Sequence, residues 1–137
     1  MKTYFWKLII LASLLFCGTF VKGQVLALDE LKPDSTNYAN VYVKKLYSDS
    51  LSSSFAIWIK DEVKPHKHVL HTEVVTILDG KASMVLNGQT SKIKKGDVII
   101  IPKGSVHSVK TLSRKPLLVI SVQAPEFKGK DRIWVNE

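Results

Sequence analysis

Cysteine is nearly absent from this sequence, which has one such residue, Cys17, among 137. It lies in an apolar N-terminal segment that we expect to be removed, so the mature chain would contain no cysteine. Disulfide bonds, thiolate zinc sites and cysteine nucleophiles are thereby excluded from the mature protein. A sustained 3.6-residue apolar period is also absent after that segment, which excludes a domain built on amphipathic helices.

The N-terminal segment has the pattern of a secretory signal peptide. Two lysines precede fourteen uncharged, mostly apolar residues at positions 8–21, and small residues stand at −3 and −1 of a cleavage site before Gln24. The run is shorter than the ~20 apolar residues that cross a bilayer. We therefore expect residues 1–23 to be a helical signal peptide that is cleaved, and the mature protein to be exported to the periplasm or the extracellular space.

The N-terminal segment and the net charge limit the kinds of partner that the protein can have. Lipidation of Cys17 would anchor the protein to a membrane, but a lipoprotein signal needs a small residue where Phe16 stands. We expect no membrane association after cleavage unless Cys17 is lipidated. The formal charge of +8 is partly that of the leader. Because an exported chain is remote from nucleic acid, we expect no nucleic-acid partner, only mild attraction for anionic small molecules.

The mature chain is predicted to be all-β. Residues 24–40 are polar and mixed and are interpreted as an N-terminal arm, and residues 41–137 as a single domain. The segments rich in β-branched, aromatic or aliphatic residues are 41–47, 55–59, 72–78, 82–86, 89–93, 97–101, 117–122 and 132–135. Asn87-Gly88 between two of them is typical of a two-residue hairpin turn. Short strands with such turns predict an antiparallel sandwich or barrel.

The sequence also predicts which residues are buried and which lie at the edge of a sheet. Residues 97–101 form a continuous apolar run stopped by Pro102, which predicts a strand buried on both faces. Lys92, Lys94 and Lys95 are interpreted as charges that guard an edge strand against aggregation. The candidates for the barrel interior, most of them core residues, are Tyr42, Phe55, Ile57, Trp58, Met84, Val98, Ile100, Val109, Ser121 and Gln123.

All four histidines fall in two short stretches, and neutral imidazole is the commonest metal ligand. His66 and His68 are two residues apart, so on a strand they point to the same side. Simple alternation would send Glu73 to the opposite face, so a turn or bulge within 69–72 must bring it back. His107 follows a Pro-Gly turn, which would hold its direction firmly.

These residues form two motifs that resemble the signatures of the cupin superfamily. The first is His66-x-His68, four residues, Glu73, six residues, Gly80, and the second is Gly96, five residues, Pro102-x-Gly104, two residues, His107. Fifteen residues separate the motifs, a spacer typical of small single-domain cupins. Lys60 stands where the family usually has a glycine, and Thr111 where an asparagine often follows. Neither is a ligand position.

The resemblance implies a double-stranded β-helix, that is, a jelly-roll barrel, and one divalent metal ion bound by His66, His68, Glu73 and His107. Three neutral imidazoles and one carboxylate leave the ion a net charge of +1, with two adjacent positions of an octahedron open. This ligand set suits Fe, Mn, Co, Ni, Cu or Zn, and affinity order does not choose among them. The resemblance also implies a homodimer.

His71 fits no ligand position of the motif. It lies two residues before Glu73, which favours the same side of a strand. It is interpreted as an acid/base in the pocket, as a plain surface residue, or as a residue that supports a ligand, and we favour the first two. Asp79 and Asp97 adjoin turn glycines and are expected to serve the turns rather than catalysis.

Three functions are weighed for such a site. The first is a metal-dependent enzyme on a small oxygenated substrate, because the family includes oxygenases, isomerases, decarboxylases and lyases, and a divalent ion polarises carbonyl groups or, if iron, activates O₂. The alternative is a non-catalytic binding module for a sugar or organic acid. The third, a metal-free sugar-nucleotide epimerase, is disfavoured by the complete ligand set and by export. The sequence does not name the substrate.

Overall fold

The computed structural model describes residues 23–135. The predicted signal peptide and Cys17 lie outside the described residues, apart from Gly23 at the cleavage site. The chain divides into two compact units, residues 1–31 and 32–137. In the described part of the first unit, the regular structure is a short 3-10 helix, Leu28–Glu30. No helix within 23–135 is long and apolar enough to cross a membrane.

The second unit contains two five-stranded antiparallel sheets. The first sheet has the spatial order β1 (Val41–Ser48), β2 (Ser53–Ile59), β9 (Leu117–Ala124), β4 (Thr72–Asp79) and β7 (Val98–Ile101). The second sheet has the order β10 (Ile133–Trp134), β3 (Glu62–Lys67), β8 (His107–Thr111), β5 (Lys81–Leu86) and β6 (Gln89–Lys94). From β2 onward the chain changes sheet at every step except the β5–β6 hairpin. This alternation confirms the predicted all-β jelly roll.

The β5–β6 hairpin has the turn that its sequence predicts. Asn87 and Gly88 both have positive φ values, 48° and 81°, as a type I′ turn requires. The flanking residues Leu86 and Gln89 are paired across the strands. Strands β3 and β8 are not among the predicted segments, because charged and polar residues interrupt their apolar pattern.

The compact unit begins before the predicted domain boundary at residue 41. Asp34 accepts hydrogen bonds from Tyr42, at 2.8 Å, and from Lys44, at 2.5 Å, both on β1. Farther along, the ammonium of Lys60 donates to the carbonyl of Tyr38 at 2.6 Å. The second half of the predicted arm is thereby fastened to the first sheet.

The core lies between the sheets. Side chains on β9 alternate between buried and more exposed positions along the strand, as expected when one face of an antiparallel sheet is packed. The buried hydrophobic residues that form one cluster are Ile59, Ile77, Ala82, Met84, Ile93, Ile101, Leu117 and Val119. Both sheets contribute to this cluster.

The prediction that 97–101 is buried on both faces is wrong. Val98 and Ile100 are 58% and 64% exposed, whereas Ile101 is buried. The reason is that β7 is an edge strand of the first sheet and turns alternate residues away from the barrel. An unbroken apolar run therefore does not establish that both faces are covered. The three lysines before Gly96 do lie at or beside β6, the edge strand of the second sheet.

The other interior candidates divide into two groups. Ile57, Met84 and Val109 line a cavity inside the barrel, and Ser121 and Gln123 are buried. By contrast, Tyr42 and Trp58 pack on each other with ring centroids 5.8 Å apart and do not line the cavity. Phe55 packs instead against Phe127, at a centroid distance of 6.2 Å.

Candidate metal centre

Three histidines meet inside the barrel on the second sheet. His66 is on β3, His68 follows the end of that strand, and His107 begins β8. Because β3 and β8 are neighbours, His66 and His107 are paired across the ladder. Each of the three is at most 5% exposed, and each offers a ring nitrogen within 4.8 Å of those of the other two. The structure thus brings together the three histidines that the motifs single out.

Each of these histidines has its Nδ1 atom held by a backbone carbonyl. His66 donates to Lys64 at 2.8 Å, His68 to Asp131 at 2.9 Å, and His107 to Ser105 at 3.0 Å. A carbonyl only accepts, so each Nδ1 must carry the proton. In a neutral imidazole the lone pair is then on Nε2. Such outer hydrogen bonds are the usual way in which a protein fixes the tautomer and orientation of a metal-binding histidine.

The Nε2 atom of His68 is the clearest sign of a missing partner. It is buried and has no hydrogen-bond partner in the described part of the chain. A buried polar atom left unsatisfied costs about 1–3 kcal/mol, so such atoms usually have a function. The lone pair at this position is directed among the other histidines, where a metal ion would accept it.

Glu73 reaches the histidines from the other sheet. The chain leaves β3, turns through residues 69–71 and enters β4 in the first sheet, which removes the difficulty of its odd spacing from His68. Its Oε2 atom lies 3.4 Å from Nε2 of His107 and 3.8 Å from Nε2 of His68. Its other oxygen, Oε1, accepts from Ser121 and from the amide of Gln123, the latter at 3.3 Å. One carboxylate oxygen therefore remains directed at the histidines.

The protonation states favour metal binding at neutral pH. Burial lowers the pKa of His66 to about 4, and the charge of His107 adds to the effect. Burial also lowers the pKa of His68. Burial alone would raise the pKa of Glu73, but the proximity of His107 and the hydrogen bond from Ser121 outweigh it and bring the pKa to about 2. Two neutral imidazoles and an ionised carboxylate are the forms in which these side chains bind metals.

A buried aspartate that the sequence does not single out, Asp131, holds the loop that carries His68. Its carboxylate accepts from the backbone N–H groups of Val69 and Leu70 at 3.1 and 2.9 Å, and from Nδ1 of His71 at 2.5 Å. The same residue's carbonyl accepts from His68. Burial would raise the pKa of Asp131, but these donors, His71 first, lower it. In the sequence, Asp131 stands between Lys130 and Arg132 and resembles an ordinary surface charge. No sequence pattern therefore predicts that it holds the loop.

His71 is buried, so its interpretation as a surface residue is wrong. It is 4% exposed because the segment around Glu126 and Asp131 covers it. Its Nε2 lies 2.9 Å from the carbonyl of Glu126, and its Nδ1 faces Asp131. Both ring nitrogens therefore have hydrogen-bond partners. His71 lines a separate surface pocket and not the barrel cavity. These contacts match a supporting role, and the acid/base interpretation of His71 stays a prediction.

Two of the three histidines, His66 and His107, and Glu73 open onto a cavity of about 370 Å³. His66, Glu73 and His107 form part of its wall, and aliphatic side chains from both sheets form most of the remainder. Asp79 and Asp97 do not line it. They accept from the backbone N–H groups of Gly80 and Lys94, at 2.9 and 2.8 Å, as expected of turn residues. The cavity is within the size range of small-molecule sites.

The donor set fits a divalent transition metal. Three imidazole nitrogens and one carboxylate oxygen are borderline ligands of the kind used for iron, manganese, cobalt, nickel, copper and zinc. The fixed tautomers, the unsatisfied Nε2 of His68 and the free oxygen of Glu73 are all consistent with this fit.

A comparison with known proteins identifies the family. The sequence profile of the Cupin domain matches residues 55–123, half of the chain, and the protein therefore belongs to the cupin family. The matched region contains the three clustered histidines and Glu73. No curated protein matches the chain in sequence.

Solved structures with the same fold are distant in sequence. A double-stranded β-helix protein from Klebsiella pneumoniae is 20% identical, with a TM-score of 0.69, and the match covers 85% of this chain and 100% of that one. KdgF from Halomonas sp. is 17% identical, with a TM-score of 0.67 and coverage of 78% and 97%. Streptomyces Pac13 with uridine is 13% identical, with a TM-score of 0.66 and coverage of 84% and 92%. Pac13 is described as a nucleoside dehydratase. At these identities the likeness establishes the fold alone.

Proposed function

We propose that the protein is a metal-dependent cupin that binds one divalent ion through His66, His68, His107 and Glu73 and acts on a small oxygenated molecule in the barrel cavity. The observation that carries the proposal is the set of three fixed imidazoles, with the buried Nε2 of His68 left without a partner in residues 23–135. A structural histidine would have both ring nitrogens satisfied, as His71 does.

The chain's own residues supply three things to such a reaction. The backbone carbonyls keep the imidazoles in position, so that binding an ion requires little reorganisation. Ser121 and Gln123 hold the Glu73 carboxylate ionised and correctly turned. The aliphatic wall of the cavity excludes water and thereby strengthens electrostatic interactions inside it. A divalent ion bound there supplies Lewis-acid chemistry, and iron would add redox chemistry.

One observation favours the alternative of a binding module without turnover. Glu73 is engaged with Ser121, Gln123 and the histidines, so it is not a free general base. The other titratable side chains of the cavity wall, Glu62, Lys64 and Arg132, are partly or fully exposed. A reaction would then depend on the ion and its ligands for proton transfer. Pac13 supports the enzymatic option as a structurally similar protein that is described as a dehydratase.

Calorimetric titration with Mn²⁺ and Zn²⁺ tests the proposal. Starting from metal-free protein, we expect one site per chain, and Glu73→Gln should weaken binding at least about tenfold while keeping the shape of the side chain. Glu62→Gln is the matched control, because Glu62 lines the cavity but lies four residues before His66 on β3 and belongs to no cluster of potential metal ligands in residues 23–135. Equal affinities for the wild type and Glu73→Gln would contradict the ligand assignment.

We further propose that the mature protein is exported, on the basis of the leader pattern in residues 1–23. Mass spectrometry of the protein recovered outside the cytoplasm should give an N-terminus at Gln24. A chain that retains Met1 and stays in the cytoplasm would contradict export, and a lipid-modified N-terminus at Cys17 would indicate anchoring instead.

A further inference from the structure

We propose that the ligand of the barrel cavity is a molecule with an apolar body and one compact, oxygen-bearing acidic group, rather than a polyhydroxylated sugar. This inference rests on the proposed function for the position of the acidic group at the metal centre. The apolar nature of the ligand's body follows from the cavity wall and does not depend on the metal.

The wall beyond the metal centre is mostly aliphatic. It includes Ile57 and Val119 from the first sheet's centre, Val75 and Ile99 from its far side, and Met84 and Val109 from the second sheet. None of these side chains has a polar group that forms a conventional hydrogen bond. A ligand whose apolar body lies among these side chains would lose its hydration water and gain apolar contacts. This favours a hydrocarbon surface by ~25 cal/mol per Å² buried.

Beyond the metal centre, the polar side chains of the wall are Asn40, Glu62, Lys64, Ser108, Arg132 and Trp134, of which Lys64, Arg132 and Trp134 are exposed. His66, Glu73 and His107 belong to the metal centre. The amide of Asn40 donates to the carbonyl of Glu62 and accepts from the backbone N–H of Asp61, so both of its ends have partners. Ring hydroxyl groups of a sugar that lie among the aliphatic side chains would be buried against alkyl groups. A buried hydroxyl without a partner is costly, so a sugar is disfavoured.

The exposed edge of the wall favours an acid. Lys64 and Arg132 are both exposed and both line the cavity. The Arg132 guanidinium lies 5.8 Å from the ring centre of Trp134, and that ring lies 5.5 Å from the ring of His66. Trp134 therefore lies beside a candidate metal ligand, and the two cations outnumber Glu62, the one carboxylate that lines the cavity outside the metal centre. A carboxylate is attracted to this edge, while Trp134 presents an apolar face to the body that follows.

A matched pair of ring acids tests the inference. 1-Hydroxycyclohexane-1-carboxylate and quinate share the ring and the α-hydroxy acid, but quinate has three more ring hydroxyls. Calorimetry with Zn²⁺-loaded protein should give binding of the first acid at least about tenfold tighter than that of quinate. Metal-free protein should bind the first acid more weakly and keep the order of preference.

A pair of variants locates the effect in the cavity. Val75→Thr replaces a methyl of the wall by a hydroxyl and should reduce the preference several-fold. Val98→Thr makes the same change on the outward face of β7 and should leave the preference unchanged. Circular dichroism of both variants establishes that they are folded.

The outcomes separate this inference from the proposed function. Metal binding combined with equal or tighter binding of quinate, or with no binding of either acid, would overturn the inference and leave the metal site intact. Failure to bind metal, with the preference retained, would overturn the proposed function and support the apolar ligand.

Discussion

Replacing Asp131 by alanine should destabilise the protein by about 3 kcal/mol. The carboxylate is buried and accepts three hydrogen bonds, at 2.5 Å from His71, 2.9 Å from Leu70 and 3.1 Å from Val69. Hydrogen bonds to a charged group contribute about 1.5–3 kcal/mol each when buried. Only the bond to His71 has a fully buried donor residue. Val69 and Leu70 are 43% and 65% exposed, so water can replace much of what their N–H groups lose.

The assay is urea unfolding of metal-free protein, since a bound ion would add its own stabilisation. Asp131→Asn is the informative companion. An asparagine could donate to Nδ1 of a neutral His71, whose Nε2–H would still donate to the carbonyl of Glu126. We therefore expect a loss for Asp131→Asn that is less than half of the loss for Asp131→Ala.

A second readout separates positioning from bulk stability. The Asp131 carboxylate holds the turn after His68, so both variants should weaken Zn²⁺ binding, Asp131→Ala by about 10–100-fold. If Asp131→Ala unfolds within about 0.5 kcal/mol of the wild type and binds Zn²⁺ normally, the argument that Asp131 secures the metal loop is refuted.

Two other perturbations follow from the structure. The pKa of His66 is about 4 in the folded chain, below the ordinary 6.5, so between these values the unfolded chain binds more protons and stability falls as the pH decreases. Metal-free protein should lose on the order of 1–2 kcal/mol from His66 between pH 7 and pH 5, and His66→Gln should flatten that slope in urea titrations; an unchanged slope would contradict the pKa. Gly80 has a φ of +88°, and an added Cβ would lie 3.0 Å from Oγ of Ser113 and 3.1 Å from Cα of Leu117. Gly80→Ala should therefore cost about 2–3 kcal/mol, against about 1 kcal/mol for Gly88→Ala, whose Cβ meets nothing; equal costs would contradict the steric argument.

Local sequence patterns predicted most of the fold. The patterns that predict the Asn87-Gly88 turn and the β-branched segments involve only residues that are neighbours in the sequence. The structure has the turn, and it has a strand at each of the predicted segments. The exposure of one face of β7 was not predictable from such local patterns, because the position of β7 at the edge of a sheet is a property of the topology. The apolar run of residues 98–101 is the same whether or not another layer covers it.

The candidate site also has residues that the sequence predicts and residues that it does not. His66, His68, Glu73 and His107 were identified because their spacing belongs to two motifs, and the structure brings them together across two sheets. Asp131 was missed, and His71 was partly misinterpreted, because their contact joins residues 60 positions apart. No periodicity or motif connects such a pair, so only the folded chain reveals that the C-terminal segment supports the metal loop.

The most direct test of the account is the metal content of untagged protein, measured by mass spectrometry. We expect about one divalent metal ion per chain in the wild type and almost none in His68→Ala, which removes the buried Nε2 atom that lacks a hydrogen-bond partner within residues 23–135. Lys67→Ala, between the two histidines, is the control and should keep its metal. A wild type without metal even after incubation with Mn²⁺, Fe²⁺ and Zn²⁺, or an undiminished metal content in His68→Ala, would contradict the account.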